Sequence, residues 1–167
     1  MLALIIISFG ILSRLVVHTP NFTPVLSMAF LGGMYLKGRQ AFIVPLALMV
    51  ISDCIIGFYS GMFFVWGSIV MISGLGLCLK EKKSYSIVLG GSALSSMLFF
   101  VVTNFGSWLS MYPHTIDGLR QCYMLAIPFF RSTLASTLAY SLVIFTVFKK
   151  YIPIREISCE SRAVPLR

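Results

Sequence analysis

The chain is a succession of apolar runs joined by short connections, a pattern that leaves few folds open. The runs cover residues 1–17, 24–36, 41–59, 62–79, 85–103 and 122–148. Hydrophobic residues make up 58% of the chain and charged residues only 11%, with a mean hydropathy of +0.94. Such a composition cannot furnish the polar surface of a soluble domain. At about 20 residues per spanning helix plus short loops, the length accommodates roughly six spans. The expectation is an all-α integral membrane protein, a six-transmembrane-helix bundle over residues 1–150 with a short tail at 151–167. Its expected location is the inner or plasma membrane of the cell, crossed several times. The N-terminal run has no preceding Lys or Arg and no small-residue cleavage site after it, so it reads as a first span rather than a cleaved signal.

The charges that remain set an orientation. Ten of the thirteen Lys and Arg residues fall after the second, fourth and sixth runs: Lys37 and Arg39, then Lys80, Lys82 and Lys83, then Lys149, Lys150 and the tail. Six spans with both termini in the cytoplasm put all of these on the inner side. The net charge of +8 is thereby a membrane signature, and nucleic acid is not an expected partner. The second run is short for a span, and the sixth is long, with Pro128 able to kink it or divide it into an entry turn and a helix proper. Gly57 and Gly61 are spaced for close helix approach. A loop is expected from Asn104 to Gln121.

Three ionisable residues, Arg14, Asp53 and Arg131, lie inside apolar runs. A charge near the bilayer centre costs at least about 2.5 kcal/mol and needs a partner or an aqueous cavity. With the expected topology, all three fall about 20–25 Å from the inner face of a core about 30 Å thick. Thr103 and Asn104, and Asn21 and His18 on another connection, reach the same outer level. A structural ion pair of Asp53 with Arg14 or Arg131 accounts for part of this layer. One arginine is then left for an anionic or carbonyl-bearing ligand, and Arg14, Asn21, Asp53, Thr103, Asn104, Trp108 and Arg131 form the expected substrate-binding set. Trp108, four residues past Asn104, is placed to stack on a flat heterocycle whose edge bonds the amide. Trp66, Tyr59, Tyr112 and Tyr123 read mainly as an interfacial aromatic belt.

No phosphate loop, nucleophile elbow or paired carboxylate occurs, and neither a cofactor nor a metal is expected. Four well-separated cysteines read as ordinary buried thiols. The best reactive pairing, His18 or His114 with Cys122, is poor, so an enzyme is not expected.

Four stretches, PNFTPV (Pro20 to Val25), VPLALMVISD (Val44 to Asp53), FFVVTNFGSW (Phe99 to Trp108) and CYMLAIPFFR (Cys122 to Arg131), resemble an uncharacterised bacterial family of membrane proteins. That family is similar to the substrate-binding S components of energy-coupling factor transporters. The resemblance implies a six-helix bundle that captures a vitamin-like molecule from outside and docks on a membrane coupling subunit carrying paired ATPases. Uptake of a small vitamin-like or heterocyclic molecule is the expected function. The alternative is a non-transporting membrane scaffold on the same bundle, which predicts an outer cavity filled by side chains.

Overall fold

The computed structural model describes residues 22–151 together with Arg14. The described residues form helices joined by short turns: α1 (Val25–Tyr35), α2 (Gln40–Ile56), α3 (Met62–Cys78), α4 (Tyr85–Met111) and α5 (Ile116–Tyr151). Two of them, α4 and α5, are long and apolar enough to cross a membrane. The expected first span and the tail lie outside the described residues, Arg14 and the end of α5 apart.

The short helix α1 is the centre of the bundle. Every residue from Val25 to Met34 is buried, and α1 packs against all four other helices. Its 11 residues are too few to span a bilayer, as the short second run implied. The crossing of α1 with α3 is made at backbone contact. A Cβ on Gly33 would collide with the Ser73 carbonyl oxygen, and one on Gly76 with the Phe30 carbonyl oxygen. Only glycine permits this approach, and small residues serve the same purpose between membrane helices generally. Phe30, Leu31, Leu48, Ile69, Ile72 and Phe145 fill the core around it.

Hydroxyl groups share the interior with the apolar core, and many large apolar side chains face outward. Ser27, Ser52, Ser68, Ser73, Ser95, Ser96 and Thr137 are buried, while Ile43, Ile55, Phe63, Met97, Met124 and Val143 are exposed. The buried hydroxyls mostly bond a carbonyl three or four residues back, as Ser95 does to Gly91 (2.7 Å). Ser27 instead donates to the Thr137 carbonyl at 2.9 Å, tying α1 to α5. Large apolar side chains facing outward in this number suit lipid contact better than water.

Long helices α4 and α5 form an antiparallel hairpin. Tyr85 meets Phe145 at one end (ring centroids 5.0 Å apart), and Phe100 meets Phe130 further along (4.9 Å). Both helices are longer than their apolar runs. α4 continues past Asn104 to Met111, and α5 begins at Ile116, so the expected loop from Asn104 to Gln121 shrinks to a turn. The helix survives Gly106 because that glycine packs against the Phe64 ring and because Ser107 and Ser110 bond back to Thr103 and Gly106. Pro113 stops it, and Thr115 restarts the chain by accepting from the Gly118 N–H (3.2 Å). Pro128 does not divide α5, which runs through it unbroken. Gly57 and Gly61 make no close helix contact. They take positive φ (112° and 85°) in the tight turn between α2 and α3, a conformation that favours glycine.

Basic residues gather at the end of the bundle away from Asn104. Lys37, Lys80 and Lys83 surround one small pocket. The Lys83 ammonium lies 4.6 Å over the Tyr35 ring, and Lys149 lies 4.8 Å over Tyr85. Burial pushes the Lys83 ammonium below the usual lysine range, opposed by the nearby Glu81 carboxylate.

Candidate functional site

Asp53 sits in the last turn of α2, where the helix dipole disfavours an acid. It is completely buried. Its Oδ1 pairs with Arg14 Nη1 at 2.9 Å, and its Oδ2 accepts from Trp66 Nε1 at 2.8 Å. The same Arg14 nitrogen donates to Ser52 Oγ and approaches Met49 Sδ at 3.3 Å. Oδ2 is hydrogen-bonded by the indole, whereas Oδ1 has the charge of Arg14 beside it without a well-aligned hydrogen bond among the described residues. Close approach of opposite charges offsets part of the cost of burying them, and the indole hydrogen bond adds to it.

Beside this pair lies a cavity of 410 Å³, within the usual size range for a small-molecule site. Arg14 forms part of its wall. Phe99, Phe100, Phe129 and Phe130 supply aromatic surface, and Thr103, Asn104, Ser107 and Thr133 supply polar groups. Asn104 is held by its own helix, with Nδ2 donating to the Phe100 carbonyl at 2.7 Å. A carbonyl can only accept, which fixes the orientation of the amide.

The expected site residues separate into groups. Arg14, Thr103 and Asn104 come together at the cavity, with Asp53 directly behind Arg14. Arg131 does not join them. It is exposed, is absent from the cavity wall, and Asp53 takes Arg14 as its ion-pair partner instead. Arg131 directly follows Phe130, and the rotation of about 100° per residue carries it to the outer surface. Trp108 also lies off the cavity wall. Because α4 continues through it, its indole donates to the Pro113 carbonyl at 3.0 Å and packs on Phe105 and His114, bracing the α4–α5 turn. Asn21 and His18 lie outside the described residues.

Trp66 is the partner that the sequence reading missed, having been placed in an interfacial belt. A signal was present. Asp53 and Trp66 stand about equally far from the α2–α3 turn, so an antiparallel pair returns them to one level. His114 and Cys122 form no reactive couple: His114 Nε2 lies 3.0 Å from the Leu109 carbonyl oxygen, and Cys122 Sγ donates to the Asn104 carbonyl at 3.4 Å. Among the described residues, no group of three or more His, Cys, Asp or Glu could hold a metal ion.

Two long apolar helices, many large apolar side chains facing outward and a mixed aromatic–polar cavity define an all-helical protein of membrane type with room for a small ligand. The chain belongs to a family of unknown function (DUF6580), whose profile matches residues 1–155. No curated protein sequence matches it, and no solved structure does.

Proposed function

We propose that the protein is a multi-pass membrane protein of the cell membrane that binds a small vitamin-like or heterocyclic molecule from the outer face for uptake, in the manner of an S component. On this reading the described helices and a first span carrying Arg14 make up a six-helix bundle with both termini inside. The observation that carries the proposal is the 410 Å³ cavity set against a buried ion pair. A scaffold has no need of an open cavity walled by several polar and several aromatic side chains. The gathering of Lys37, Lys80, Lys83 and Lys149 at the opposite end supports an outward-facing cavity, since basic residues favour the cytoplasmic side. A coupling subunit with ATPases would supply the energy for release inward.

The test is gentle purification followed by mass spectrometry of retained small molecules and subunits. A bound heterocycle that disappears in Asn104→Ala supports the reading, and co-purifying ATPase subunits support the coupling. Reproducible absence of any small molecule, in wild type as in the variant, counts against uptake.

A further inference from the structure

Thr23 and Tyr59 also bring hydroxyls to the wall, but the hydrogen-bonding capacity that α4 and α5 present to the cavity is one-sided. Thr103 Oγ1 donates to the Phe99 carbonyl at 2.8 Å, Ser107 Oγ to the Thr103 carbonyl at 3.1 Å, and Thr133 Oγ1 to the Phe129 carbonyl at 2.9 Å. A hydroxyl has a single proton, and all three are spent on their own helices. What α4 and α5 leave for a ligand is the lone pairs of three hydroxyl oxygens and the amide of Asn104. That amide keeps its Oδ1 and one N–H, the pair of groups that reads a neighbouring donor and acceptor on a planar ring.

The charge of the described wall is also balanced. Among the described residues, Arg14 is the one charged residue lining the cavity, and the completely buried Asp53 compensates it at 2.9 Å. A carboxylate or phosphate entering here would meet no uncompensated cation and would face several oxygen lone pairs. Leaving water for such a place is unfavourable. A donor-rich neutral ring finds acceptors on one edge, aromatic faces for its plane, and Arg14 for a carbonyl.

We propose that the cavity takes an uncharged planar heterocycle bearing N–H donors along the edge that faces α4 and α5, and discriminates against carboxylate and phosphate ligands. This rests on the small-molecule reading above and narrows its ligand class.

The test uses the full chain in detergent, with thermal stability measured against matched probes. Nicotinamide is set against nicotinate, and adenine against its exocyclic dimethylamino analogue, beside chemical identification of whatever co-purifies. The expected result is stabilisation by the donor-bearing neutral member of a pair, or a retained molecule of that kind. Replacing Thr103 and Thr133 by the isosteric valine then weakens binding by roughly fivefold per lost bond. Both substitutions spare the helix, because each backbone carbonyl keeps its main-chain partner. A retained or preferred anion, or affinity unchanged in Thr103→Val/Thr133→Val, overturns the donor assignment and leaves the site standing. No bound molecule in the purified protein together with no response to any probe removes the site reading and this inference with it.

Discussion

Asp53→Asn removes one charge from the buried pair and changes almost nothing else. The amide oxygen can still accept from Trp66 Nε1, now at 2.8 Å from Oδ2, and the volume is the same. Arg14 loses the partner 2.9 Å away. Removing one member of a buried pair costs about 3–5 kcal/mol, because the other charge remains uncompensated. The Arg14 side chain is 17% exposed and borders a cavity, so it regains some hydration, and the lower end, about 3 kcal/mol, applies. For a chain of this size that is a fall in Tm of about 6–12 °C. The assay is thermal unfolding in detergent followed by tryptophan fluorescence. Arg131→Gln is the matched control, expected within about 0.5 kcal/mol of wild type because that side chain is exposed. The double variant Arg14→Met/Asp53→Asn should recover part of the loss, since no charge is then stranded. An Asp53→Asn protein as stable as wild type, or an Arg131→Gln protein that falls as far, would refute the pairing.

Three other outcomes follow from particular contacts. Trp66→Phe keeps the ring but strips the donor from the buried carboxylate, and should cost about 1.5–3 kcal/mol in chemical denaturation. Gly33→Ala should prevent the α1–α3 crossing from closing, because the added methyl meets the Ser73 carbonyl; Gly90→Ala, where a Cβ meets nothing, should be tolerated in the same melting assay. Ser92 and Ser141 have buried hydroxyl oxygens with no hydrogen-bond partner among the described residues, so Ser92→Ala and Ser141→Ala should leave Tm unchanged or raise it by the equivalent of about 1 kcal/mol.

Much of the fold is legible in hydropathy because apolar runs set where helices lie. The second run at residues 24–36 becomes α1 with little change at either end. Hydropathy misses what sits beyond the apolar stretch. The start of α5, from Ile116 to Gln121, is polar, and its marker is the capping Thr115 rather than any hydrophobic pattern. Asn104 and Gly106 resemble a helix end, yet tertiary packing of Gly106 on Phe64 carries α4 onward, and with it Trp108 leaves the cavity for the turn. Depth along a helix is readable from residue counts, which brings Arg14 and Asp53 to one level. Rotation about the axis is harder to read in α5, where Thr133, Ser136, Thr137 and Ser141 are buried while Met124 and Val143 are exposed, and Arg131 on the outer face is the consequence.

The central claim is that the cavity holds a small molecule, and native mass spectrometry of the purified protein addresses it most directly. Ala126 lines the cavity and is buried, so Ala126→Trp fills that space. The account predicts a wild-type spectrum with a discrete small-molecule adduct that is lost in Ala126→Trp, while helical content by circular dichroism is unchanged. Identical adduct-free spectra for the two proteins, or an adduct that survives in the filled variant, would contradict it.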